Sequence, residues 1–168
     1  MKRIAILASG EGTNAEHIIR YFSERKTAKV VVVITNKPQA GVLNRADRLG
    51  IPTEFIPAQG FTEGRALEVL HRYQTDFIVL AGFLLKVPDD ILHDYPNKIV
   101  NIHPALLPKF GGKGMYGNRV HEAVIAAAEK ESGITIHFIN EHYDEGDTIF
   151  QATCPVMPDD TPETLAAR

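Results

Sequence analysis

The chain has 168 residues, 44% of them apolar and 23% charged, with a net charge of −3 at pH 7. That is the make-up of one ordinary globular domain with enough length to bury a core. Scattered Lys and Arg give no electrostatic footprint for nucleic acid. No apolar run approaches the ~20 residues of a membrane span, and a single cysteine, Cys154, rules out an internal disulfide and fits a reducing cytosol.

In chain order, basic Lys2 and Arg3 lead into a short apolar run that stops at Ser9-Gly10-Glu11-Gly12. This predicts a buried first strand over 3–8, not a signal peptide. Further strands are predicted over 28–35, 77–81 and 98–102, each nearly continuously apolar, as strands buried on both faces are. Amphipathic stretches at 14–23, 41–49 and 62–73 predict helices between them. This βαβα rhythm implies a parallel sheet with right-handed crossovers. After Pro108 come a glycine-rich loop at 111–117 and a predicted helix over 118–130. Strands over 133–140 and 148–156, joined by a polar turn at 141–147, predict an antiparallel pair. Asp160-Thr161-Pro162-Glu163 is a helix start with few residues after it.

The motif Asn101-Ile102-His103-Pro104-Ala105-Leu106-Leu107-Pro108 leaves the fourth of these strands. Alternate strand residues share a face, ~6.5 Å apart along the chain. Asn101 and His103 therefore aim at one point, and Pro104 stops the strand. An amide donor and a titratable ring placed together suit stabilisation of an oxyanion and transfer of a proton.

Ser9-Gly10-Glu11-Gly12-Thr13-Asn14-Ala15 joins the first strand to the first helix. Glycine lets main-chain amides approach an anion, and a helix N-terminus favours it. A dinucleotide site normally wants a carboxylate after the second strand. Here that strand ends Ile34-Thr35-Asn36-Lys37. A phosphate monoester on Gly12, Thr13 and Asn14 fits better. The plainer alternative is a tight turn with Asn14 capping the helix.

Ile134, Thr135, Ile136, His137 and Phe138 alternate with period two. The pattern predicts Ile134, Ile136 and Phe138 toward the core, with Thr135 and His137 on the other face. His137 is otherwise a hydrogen-bonded structural residue. A carboxylate from the turn, Glu141, Asp144 or Asp147, would hold the His103 ring and favour its charged form. His17, His71 and His93 read as solvated, and His121 as a packing or capping residue. Cys154 reads as a buried inert thiol. The histidines lack zinc-site spacing, so no metal is expected.

Together, Ser9 through Asn14, Leu80-Ala81-Gly82-Phe83, the 101–108 motif and the 133–146 segment resemble the folate-dependent formyltransferases of purine synthesis. The resemblance spans essentially the whole chain. It implies an α/β fold: a Rossmann-like, mostly parallel twisted sheet with helices on both faces and an antiparallel C-terminal strand pair. It implies one formyltransferase domain over 1–168, lacking its C-terminal helix. The co-substrate would be 10-formyltetrahydrofolate and the acceptor the amine of glycinamide ribonucleotide, in a cytoplasmic monomer or weak homodimer. Asn101 would polarise the formyl oxygen, His103 would be the general acid, and Asp144 would orient it. Gly12, Thr13 and Asn14 would hold the substrate phosphate. Arg65, Leu84, Leu85, Lys86, Val87, Asn101, Asn140, Glu141, His142 and Tyr143 would meet the folate, with Thr135 and His137 in support. Related readings with the same site are other formyltransferases, acting on methionyl-tRNA or sugars, and a deformylase. A non-catalytic dinucleotide-binding module leaves Asn101, His103 and Asp144 without a role.

Overall fold

A computed structural model describes residues 1–168. Seven strands form a mixed sheet, parallel in its N-terminal part and antiparallel at its C-terminal end. The chain divides into two compact units, Met1–Ile99 and Val100–Arg168.

In the first unit, β1 (Lys2–Leu7) pairs in parallel with β2 (Ala28–Thr35) and with β4 (Phe77–Leu80). Ala5 and Ile6 of β1 and Val32, Val33 and Ile34 of β2 are fully buried. That is the burial expected of a parallel strand covered on both faces. A three-residue strand, β3 (Thr53–Phe55), adds to β2 in parallel and was not predicted. Helix α1 (Thr13–Arg25) buries Ala15 and Ile19, one turn apart on one face. It ends at left-handed Lys26, whose N–H returns to the Phe22 carbonyl. Helix α2 (Gly41–Arg48) buries Val42 and Ala46 with the same spacing. The helix predicted over 62–73 is α4 (Arg65–Arg72), preceded by a separate short helix that was not predicted, α3 (Ala58–Thr62). Gly64, at φ 82°, breaks the run, because its left-handed backbone cannot continue a helix. Helix α5 (Asp89–Asp94) follows Pro88 and was also not predicted.

In the second unit, antiparallel pairing includes β5 (Ile99–His103) as well as the predicted pair, β6 (Glu131–Phe138) and β7 (Thr148–Pro155). Helix α6 (Asn118–Ala126) buries Val120 and Val124 and is shorter than predicted. Helix α7 (Pro162–Ala167) opens with a capping box between Thr161 and Thr164.

The alternation along β6 is present, but its faces are exchanged. Thr135 and His137 are fully buried, whereas Ile134 is 38% exposed and Ile136 and Phe138 are half-buried. The polar face is the inner one because it finds hydrogen-bond partners there. Cys154, expected to be buried, is half-exposed on β7.

Candidate functional site

The second unit gathers a polar cluster around one carboxylate. Asn101 and His137 lie directly opposite each other in the β5–β6 ladder, as do His103 and Thr135. Cross-strand partners share a face with their Cβ atoms ~4.5–5.5 Å apart. The Asn101 Nδ2 group lies 3.1 Å from His137 Nε2. Asp144 Oδ1 stands 3.6 Å from both His103 Nδ1 and His137 Nε2. The other oxygen, Oδ2, accepts the Gly112 N–H at 2.9 Å. Asp144 adopts φ 56°, a left-handed conformation that an Asp tolerates better than most residues. Glu141 is exposed beside His142, and Asp147 offers its main-chain carbonyl to Phe138. Of the three candidate carboxylates, only Asp144 reaches His103 and His137.

His103 is 2% exposed, and its Nε2 lies 2.8 Å from the Phe110 carbonyl. A carbonyl only accepts, so Nε2 carries a proton and Nδ1 faces the carboxylate. Phe110 itself takes φ 56°. Thr135 fixes the segment beyond β5: its hydroxyl donates to the Ala105 carbonyl at 2.7 Å and accepts the Leu107 N–H at 3.0 Å. Gln151 of β7 donates to both the Leu107 carbonyl and the Thr135 oxygen. The loop carbonyl of Phe110, the amide of Gly112 and the side chain of Gln151 had no signal in the sequence. Two of them are main-chain groups, and Gln151 reads there only as an edge-strand polar residue.

Burial holds the His137 imidazole below its ordinary pKa, and the nearby His103 acts in the same direction. The Phe138 carbonyl and Asp144 oppose this in part. His121 on α6 is also held low, first by burial and then by His103, and its Nδ1 is buried without a partner. His17, His71 and His93 are exposed, as predicted.

The first unit supplies the glycine turn. The helix starts one residue earlier than predicted, and Asn14 is not its cap. Gly12 is the N-cap at φ 77°, and no side chain caps α1. The first amides of α1 therefore carry no side-chain acceptor, which leaves donors and a favourable dipole for an anion. A Cβ at Gly12 would collide with Val42, so this position requires glycine for space as well as for φ. Ser9 donates to Asn36 at 2.6 Å and accepts the Leu84 N–H at 3.0 Å.

A family model described as formyl transferase matches residues 2–168. The chain belongs to the formyl transferase family. It is 41% identical to the chloroplastic phosphoribosylglycinamide formyltransferase of Arabidopsis thaliana over 99% of its own length. It spans 60% of that relative and 55% of the corresponding Vigna unguiculata protein. It is 37% identical to the phosphoribosylglycinamide formyltransferase of Haemophilus influenzae, covering all of this chain and 80% of the relative. Among solved structures, glycinamide ribonucleotide transformylase 1 from Symbiobacterium toebii superimposes with a TM-score of 0.92 at 34% identity. That match covers 99% of this chain and 79% of the other.

The positions expected of a formyltransferase to meet a folate are mostly open. Arg65, Leu84 and Lys86 are exposed and Leu85 is half-buried, but Val87 is 5% exposed and packs in the core. Val87 thus has only its main chain to offer. Asn140, Glu141, His142 and Tyr143 form an exposed stretch, ordered locally by the His142 N–H on the Asn140 side chain. No helix is long and apolar enough to cross a membrane.

Proposed function

We propose that this chain transfers the formyl group of 10-formyltetrahydrofolate to the amine of 5′-phosphoribosylglycinamide, a step of de novo purine biosynthesis in the cytoplasm. The observation that carries this reading is the convergence of His103 and His137 on Asp144, with Asn101 held against His137. The glycine turn with its uncapped helix start supports it, as do relatives named for this activity. We read both units as parts of one formyltransferase domain.

The acceptor amine attacks the formyl carbon, forming the new C–N bond and moving the carbonyl electron pair onto oxygen. Asn101 donates to that oxygen; one such donor is worth ~10²–10³ in rate. The tetrahedral intermediate collapses by breaking the bond to the folate nitrogen. The His103 Nε2 proton, which rests on the Phe110 carbonyl, is the one transferred to the departing nitrogen. Asp144 orients the His103 ring, and the proton shed by the acceptor nitrogen as it becomes the amide replaces the one that His103 gives up. Gly12, Thr13 and Asn14 hold the substrate phosphate through main-chain amides and the Thr13 hydroxyl. Arg65, Leu84, Leu85, Lys86 and the Val87 main chain contact the folate, as do Asn140, Glu141, His142 and Tyr143. Chemistry of this kind requires neither a metal nor a covalent enzyme intermediate.

The test is formyl transfer from 10-formyltetrahydrofolate to glycinamide ribonucleotide, followed by the appearance of the formylated product. Wild-type protein turns over, and His103→Ala loses ~10²–10⁴ in kcat. Undiminished turnover in folded His103→Ala would remove that residue from the mechanism. Formate release without acceptor consumption would make the protein a deformylase.

A further inference from the structure

We propose that His137 is a positioning residue: a neutral imidazole whose bare Nε2 accepts from the Asn101 amide and so fixes which side of that amide faces the reacting oxygen. The inference deepens the formyl-transfer reading and rests on it for its kinetic consequence, though not for the hydrogen-bond assignment itself.

The assignment follows from donor and acceptor chemistry. His137 Nδ1 lies 2.9 Å from the Phe138 carbonyl. That oxygen has only lone pairs, so Nδ1 holds the proton. The ring is fully buried, and burial disfavours its charged form. A neutral ring with its proton on Nδ1 has only a lone pair at Nε2. The amide atom 3.1 Å from that lone pair is Asn101 Nδ2, a donor. The opposite orientation would set the amide oxygen against the lone pair and leave both unpaired in a buried site, at a cost of ~1–3 kcal/mol per group. Asp144 Oδ1, 3.6 Å from the same Nε2, is also an acceptor and offers the ring no competing proton. His103 and Asp144 are the titratable groups that face His137. One amide hydrogen of Asn101 is thus committed to His137, and the second is held ready for the substrate oxygen. Asn101 alone could rotate by half a turn and present a carbonyl, which would repel a developing oxyanion.

The experiment has an arm that needs no substrate. Nitrogen-15 NMR of histidine-labelled protein at pH 7 should show His137 with a protonated Nδ1 and a bare Nε2. A proton on Nε2, in either the other tautomer or the imidazolium, overturns the proposal. Asn101→Asp replaces the donor by acceptors only, so His137 Nε2 should gain a proton in that variant. An unchanged Nε2 signal there also overturns it. In the kinetic arm, His137→Gln places an acceptor oxygen near the former Nε2, whereas His137→Asn is too short to do so. The Asn variant should lose ~10²-fold in kcat with little change in KM, the size of a lost oxyanion donor. The Gln variant should recover most of that loss. Equal kcat in folded Gln and Asn variants sinks the positioning role. Absence of formyl transfer by the wild type sinks the proposed function instead, and the NMR arm then judges the hydrogen bond by itself.

Discussion

The two faces of β6 partition residue types against the usual rule. Thr135 and His137 are fully buried, while on the other face Ile134 is 38% exposed and Phe150, the cross-strand partner of Ile136, is 54% exposed. What separates the faces is partnership. Thr135 makes three hydrogen bonds and His137 two on the inner side. Burying a polar group is costly only when it goes unpaired. The inner face can therefore be polar, and the chemistry-bearing residues sit where water is excluded and each interaction is stronger. The outer face shows that an exposed isoleucine or phenylalanine is unremarkable in itself.

The largest expected effect comes from unpairing the inner face. Thr135→Val would strand the Leu107 N–H and the Ala105 carbonyl, and should cost ~3 kcal/mol, read as a lower urea midpoint. A loss below ~1 kcal/mol would mean that the hydroxyl is dispensable. Next comes the ladder that sets the faces. A Cβ at Gly133 would collide with the Ala152 carbonyl. Gly133→Ala should destabilise by ~2 kcal/mol through forced separation of β6 from β7. Faster amide exchange confined to those two strands would identify that cause.

The third test titrates the inner face. Burial holds the pKa of folded His137 below the ordinary imidazole value of 6.5. The unfolded chain then binds a proton more readily than the folded one, so stability rises with pH. The neutral-ring contribution is fully present above pH 6.5 and is lost as pH falls toward the folded value. His137→Gln should flatten part of the fall in wild-type stability on acidification. His121 has the same sign and remains in both proteins, so the difference between the two curves isolates His137. Parallel curves would show that His137 is not held neutral by the fold.

Much of the framework was legible because local and global preferences agree. β2 was read to the residue, since Lys29-Val30-Val31-Val32-Val33-Ile34 is both β-prone and buried on both faces. β3 was not legible: three residues carry no period, and they are a strand only through their register with Val33–Thr35. The 62–73 helix failed at Gly64 because a 3.6-residue pattern does not report a single left-handed residue. Asn101 and His103 were legible from period two and the following proline. Choosing Asp144 over its neighbours needed the fold, since its position depends on a left-handed backbone and on Gly112, 32 residues away. Alternation located the two faces of β6 but could not orient them, because hydropathy does not count hydrogen-bond partners.

The smallest effect sharpens the comparison from outside. If the outer face were the packed one, Ile134→Lys would bury an ammonium group and cost several kcal/mol. As the face stands, the lysine stem can lie along β7 across Ala152 while its charge stays in water. The expected change is within ~0.5 kcal/mol, the range of ordinary surface substitutions. Urea unfolding of Ile134→Lys beside Thr135→Val, adjacent residues on one strand, therefore separates two explanations of the exchanged faces. Near-zero and large losses in that order place the packing on the polar side. The reverse order would return the core to the isoleucines.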